Sequence, residues 1–165
     1  MNKRLSDLIR QEATIITPTK RLSRHLCYLF ATTQVLKGKQ AWQTPDCLPW
    51  AAWCRRNFEL LSFRTKEKVT ILSNIQQEWL WQDIINNSKY KSQILQTMAT
   101  AQQALHAYEM CQEWCVPIFP DEVYLNEDAF AFKHWAHAYE KQKQENNWLD
   151  DAVLPDYIIA YAAEL

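Results

Sequence analysis

Glycine occurs once in this chain, at Gly38. Tight β-hairpins need residues at φ > 0, and Asn-Gly or Asp-Gly usually supplies them. A loop that wraps phosphate with backbone amides also needs glycines. One glycine provides neither in number. No Gly-x4-Gly-Lys-[Ser/Thr] loop and no Gly-x-Gly-x-x-Gly turn is present. The expected fold is therefore mainly α with one or two short parallel strands. The apolar fraction of 48% is enough for a core.

The hydrophobic periodicity places the elements. Residues 3–11 read as a short helix with Leu5, Leu8 and Ile9 on one side. "ATIIT" at 13–17 is a β-branched, nearly all-apolar run, which suits a parallel strand. Pro18 stops the ladder and Thr19 is placed to cap a helix from Lys20 to Leu36. Its buried stripe is expected at Leu22, Leu26, Leu29, Phe30 and Thr33, with Gly38 just past its end. Pro45 and Pro49 bracket an extended "DCL". Trp50 then opens a helix with Trp53, Phe58 and Leu61 inward and Arg55 and Arg56 outward. The stretch from Arg64 reads as a turn and then a helix capped by Ser73 with Gln76, burying Ile75, Trp79, Leu80 and Ile84. A long helix spans 90–115 and is closed by Pro117 and Pro120. Another follows, with Phe132, Trp135, Ala136 and Tyr139 facing in, and ends near Asn146 and Asn147. A last helix carries Pro155 early.

Net charge is −1, but residues 1–68 total +8 and residues 69–165 total −9. Such asymmetry points to a polyanion partner for the first half. Lys20, Arg21 and Arg24 crowd the start of one helix, where cations oppose the macrodipole and an anion would be welcome. Arg55, Arg56, Arg64, Lys66 and Lys68 extend the basic half. Trp42 and Trp50 are candidates for stacking on bases.

Other chemistries are weaker. Cys111 and Cys115 with His134 and His137 are zinc-ligand types, but their spacings are not those of common zinc knuckles. Cys27 or Cys54 with His25 lacks an activating turn. Asp150, Asp151 and Asp156 are explained as helix N-terminal acids. No catalytic residue, metal site or cofactor is expected. Five cysteines, an odd number, follow an N-terminus with no apolar signal core. Reduced thiols in a cytoplasmic protein are expected, with no membrane span.

Three stretches carry a resemblance: "TIITPTKRLSRHL", "AWQTPDCLPWAAWCRR" and "NNWLDDAVLPDYI". They resemble blocks near the start of a family of bacterial DNA-repair proteins. These are inactivated superfamily I helicases, akin to the AddB subunit of helicase–nuclease complexes. The family form is roughly T-P-N-R-R-L-A-R-x-L, then W-x-T-P-x-I-L-P-W-x-x-W, then a Trp-Leu-Asp block. Thr19 stands where the family has Asn, and Lys20 where it has the first Arg, which removes a bidentate fork.

The resemblance implies the start of a RecA-like lobe at 1–57, a helical accessory insertion at 58–146 and a return helix at 147–165. It implies an N-terminal piece of a longer protein whose RecB-like nuclease domain would lie beyond Leu165. The first block occupies the place of a helicase motif that touches single-stranded DNA. Thr17, Thr19, Lys20, Arg21, Arg24, Trp50, Arg55 and Arg56 would then form a DNA contact, in a non-catalytic scaffold for repair and recombination. The partners implied are DNA, downstream domains of the same chain, or a helicase or nuclease subunit. The other reading is a helical interaction module with no DNA contact, its acidic, tryptophan-rich half docking a partner protein.

Overall fold

A computed structural model describes residue 9 and residues 13–65, 68–118 and 126–164. The helix expected at 3–11, apart from Ile9, lies outside the described residues, as do Lys66 and Pro120. The chain forms two compact units, Met1–Leu60 and Leu61–Leu165. Among the described residues the secondary structure is mainly helical, with two short parallel strand pairs.

In the first unit, β1 (Ile15–Thr17) leads through Pro18 and Thr19 into α1 (Lys20–Leu36). Thr19 is extended, and its hydroxyl accepts from the Leu22 amide at 3.2 Å. α1 ends as expected for a glycine at φ > 0. Gly38, at φ 73°, donates to the Val35 carbonyl, and Lys39 donates to the Gln34 carbonyl. β2 (Cys47–Pro49) runs parallel to β1, with Ile15 opposite Cys47 and Thr17 opposite Pro49. α2 (Trp50–Arg64) follows without a linker.

The buried face of α1 differs from the expected stripe. Ser23 and Gln34 are buried, while Leu22 is 40% exposed. The helix meets β2 through small polar side chains: Ser23 Oγ donates to the Cys47 carbonyl at 2.5 Å, and Cys27 Sγ to the Pro45 carbonyl at 3.7 Å. A two-stranded sheet covers only a narrow strip of a helix, and Leu26, Leu29, Phe30 and Thr33 beside that strip are half-buried.

In the second unit, β3 (Thr70–Ile71) pairs in parallel with β4 (Trp148–Leu149), a pairing the sequence patterns did not suggest. α3 (Asn74–Asn86) starts on the expected capping box of Ser73 and Gln76. Its buried face is Gln77, Trp81, Ile84 and Ile85, whereas Ile75 and Trp79 are exposed. A short 3-10 turn, Lys91–Gln93, and an extended Ile94 delay α4 to Thr97–Glu113, so the helix expected over 90–115 is shorter. α5 (Glu127–Asn146) is capped by Asn126 and buries Trp135, Ala136 and Tyr139, with Phe132 packed beside them. α6 (Leu154–Ala160) has its proline in the first turn. Alanines 101, 104, 131 and 136 are all buried, which lets α4 and α5 close on the rings of Trp81, Tyr108 and Tyr139.

A charged pair is sealed into this unit. Lys143 on α5 is 3% exposed and Asp150 after β4 is 1% exposed, and they meet at 2.8 Å. Lys143 Nζ also donates to the Tyr108 hydroxyl at 2.7 Å and lies 4.9 Å from the Tyr108 and Tyr139 ring centroids. The Tyr139 hydroxyl reaches Asp150 and Gln77, and the Tyr108 hydroxyl donates to Glu140. Burial, reinforced by the Glu140 and Asp150 carboxylates, holds both tyrosines protonated well above their ordinary range. Asp150 Oδ1 accepts from the Val153 amide, which fixes the turn into α6.

Two outcomes are expected. Asp150→Asn keeps the contact to Val153 but leaves the buried ammonium with Glu140, 3.6 Å away, as its remaining carboxylate. It should cost about 3–5 kcal/mol in urea unfolding, part of which Lys143→Met in the same chain should return. Cys115 ends α4 at φ 52°, where a Cβ is strained. Cys115→Gly should raise stability by about 0.5–1 kcal/mol in the same assay.

Candidate nucleic-acid interface

Parallel pairing decides which side chains share an edge. Because Thr17 lies opposite Pro49, both strands end together and both following helices start there. The turn 17–20 and the Pro49–Trp50 junction therefore leave the same edge of the sheet. In open α/β sheets this carboxyl edge is where ligands bind. Neither α1 nor α2 carries an acidic residue in its first turn. Two positive helix ends thus meet with no acid in either first turn.

Lys20, Arg21 and Arg24 are exposed on the first turn and a half of α1. Thr19 caps the same turn. The amides of Lys20 and Arg21, the first two residues of the helix, have no intrahelical carbonyl to reach. Trp50 is 47% exposed and stacks on Trp53, with centroids 5.2 Å apart and planes 18° from parallel. Arg55, exposed, lies on the second turn of α2. Trp42 is half-buried rather than exposed.

Two of the expected contact residues face elsewhere. Thr17 is buried, and its hydroxyl donates to the carbonyls of Thr19 at 3.0 Å and Leu48 at 3.2 Å. It shapes the turn from inside instead of presenting its hydroxyl to solvent. Arg56 is brought to the opposite edge, where the strands begin. Its guanidinium Nη1 meets both Asp46 oxygens at 2.9 Å, and Nη2 donates to Thr14 at 3.3 Å. Thr14 in turn donates to Asp46 at 2.6 Å. The hydrogen bond from Thr14, opposed by burial and aided by the Arg56 guanidinium, holds the Asp46 carboxyl below its usual range.

Among the described residues, no three His, Cys, Asp or Glu side chains gather as metal ligands. No helix there is long and apolar enough to cross a membrane. The second unit holds a cleft of about 430 Å³ between the end of α3 and the middle of α5, which the sequence patterns did not indicate. Asp83, Asn87, Tyr90, His134, Trp135 and Gln142 line it, and Lys89 Nζ lies 5.0 Å from the Tyr90 centroid. Groups of both charge signs meet there, so its chemistry selects no one ligand. No family model, curated protein or solved structure matches the chain.

The Asp46 geometry yields a pH dependence. A carboxyl whose pKa is lowered by folding contributes fully above its ordinary value, about 3.9, and loses that contribution as pH falls through the lowered value. Thermal melts of the natural chain should converge on those of Asp46→Asn between about pH 5 and about pH 2. At pH 7 the variant should melt lower.

Proposed function

We propose that the first unit is a non-catalytic nucleic-acid contact, descended from a helicase-like RecA lobe and acting as a scaffold in DNA repair or recombination. The observation that carries this reading is the shared carboxyl edge. There, two acid-free helix starts, three exposed cations and a stacked indole stand together. Lys20, Arg21 and Arg24 would neutralise phosphates, with the first amides of α1 assisting. Trp50 would stack on a base. Arg55 would extend the basic track along α2. Thr17 and Arg56 would act indirectly, by holding the turn and the strand starts in place.

The three sequence blocks support the same reading, since two of them form the two strand-to-helix turns of this edge. The third, around Trp148 and Asp150, builds β4 and the buried pair. On this reading, downstream domains or a partner nuclease would carry any catalysis.

A second reading rests on one observation. Ile75 and Trp79, one turn apart on α3, are both more than 60% exposed. They would let the acidic half dock a partner protein.

The test is fluorescence anisotropy with a labelled single-stranded oligonucleotide over a range of salt. Lys20→Glu with Arg21→Glu should weaken binding at least tenfold at low salt. The slope of log K against log salt should drop by about 0.7 for each lost phosphate contact. Ile75→Ser with Trp79→Ser should leave both quantities unchanged. Unaltered affinity and slope in the charge-reversed variant would remove the proposed edge. No binding of the oligonucleotide by the natural chain even at low salt would favour the docking reading.

A further inference from the structure

Two cysteines of the first unit come together although 20 positions separate them in the chain. Cys27 lies in the second turn and a half of α1, and Cys47 opens β2. The Pro45 carbonyl accepts from both of them: from the Cys47 amide at 3.0 Å and from the Cys27 thiol at 3.7 Å. The Cys27 thiol lies near enough to help raise the pKa of the Cys47 thiol. One helical turn before Cys27, Ser23 donates to the Cys47 carbonyl at 2.5 Å. The helix is thus pinned to the strand on either side of the sulfur pair. Both cysteines are free thiols, Cys27 half-buried and Cys47 buried.

We propose that Cys27 and Cys47 form an oxidative modification site, a dithiol that a hydroperoxide converts to an intrachain disulfide between α1 and β2. Nothing in this inference depends on the nucleic-acid reading. Three features assign the order of events. Cys27 is the less buried of the two residues. Cys47 is buried and donates its amide to the same Pro45 carbonyl. Burial, and then the neighbouring Cys27 and Asp46, push the Cys47 thiol up to about 11, so it keeps its proton at neutral pH.

The Cys27 thiolate attacks the peroxide oxygen. The O–O bond breaks, the alcohol or water leaves with a proton, and Cys27 becomes a sulfenic acid. The Cys47 sulfur then attacks the Cys27 sulfur. The S–O bond breaks, and the hydroxyl departs with the Cys47 proton as water. Two thiols are oxidised by two electrons and one hydroperoxide is reduced. Cys47, whose amide shares the Pro45 carbonyl with the Cys27 thiol, is the thiol placed to resolve the sulfenic acid.

The other cysteines do not share this arrangement. Cys115 is exposed at the end of α4, and Cys111 lies one helical turn before it. Cys115 is the natural control for a thiol that simply meets solvent.

The experiment exposes the folded chain to hydrogen peroxide, alkylates it under denaturing conditions and maps tryptic peptides by mass spectrometry. Residues 25–37 carry Cys27, and residues 40–55 carry both Cys47 and Cys54. Fragmentation must therefore assign the bridge. The expected result is a Cys27–Cys47 link in most of the chain, reversed by dithiothreitol. The link should be absent in Cys27→Ser and in Cys27→Ala, with folding checked by circular dichroism. In the reduced chain, phenylarsine oxide, which bridges close dithiols, should protect Cys27 from iodoacetamide while Cys115 stays reactive. The proposal is overturned if Cys27 accumulates as sulfinic acid or remains alkylatable after oxidation. It is equally overturned if the bridge joins Cys27 to Cys54 or if the arsenical gives no protection.

Discussion

A parallel strand pair only three residues long has too few backbone hydrogen bonds to hold its own register. In the first unit that register is held by side chains at both ends of the pair. At the start, Asp46 gathers Thr14 and Arg56. At the end, the Thr17 hydroxyl reaches across to the Leu48 carbonyl. Ser23 ties α1 down on β2 between them. A slip of one residue would turn Thr17 outward and Ile16 inward. It would also separate the two helix starts whose convergence makes the basic edge. The polar ties therefore do what a large apolar core does elsewhere, and the edge depends on them.

The second unit solves a different problem. Burying an ammonium and a carboxylate costs several kcal/mol each unless geometry and further hydrogen bonds offset it. Here the offset comes from aromatic side chains. Two tyrosine faces take the Lys143 charge, their hydroxyls bond Asp150 and Glu140, and Gln77 completes the set with its own bond to the Leu72 carbonyl. Leu72 follows β3, Asp150 follows β4, and Lys143 lies on the helix between them in sequence. The network thus joins the ends of the β3–β4 pair to α5. A two-residue strand pair is far below independent stability, so these contacts explain why it forms at all.

Local signals proved readable in the sequence because each is settled by a few neighbouring atoms. The Thr19 cap, the Ser73–Gln76 box, Gly38 beyond α1 and the Asn147 stop all match the observed helix ends. What sequence pattern missed was which side of a helix has a partner. Leu22 and Trp79 are apolar at helical spacing, yet the surfaces that cover α1 and α3 fall on Ser23 and on Trp81. Hydrophobicity ranks Ser23 last among those residues; close approach to a strand carbonyl ranks it first. β3 and β4 were missed for the same reason, since only a partner 77 or more residues away makes two residues into a strand. Arg56 resembled its neighbour Arg55 in sequence, and the pattern gave no sign that Arg56 would meet Asp46 and Thr14.

The scarcity of glycine returns at the level of mechanism. A glycine-rich turn surrounds a phosphate with amides and holds it from several sides. The turn from Thr17 to Lys20 contains no glycine, a proline with no amide to offer, and a threonine whose side chain is buried. On the proposed reading, recognition at this edge would come from side chains and from two helix ends facing the same way. Contact from one side suits a chain of phosphates lying across the edge better than a single nucleotide that must be enclosed. It also makes affinity electrostatic, shared among several residues, and readily weakened by salt. The absence of a wrapping loop is therefore what narrows the proposed ligand from nucleotide to nucleic-acid backbone.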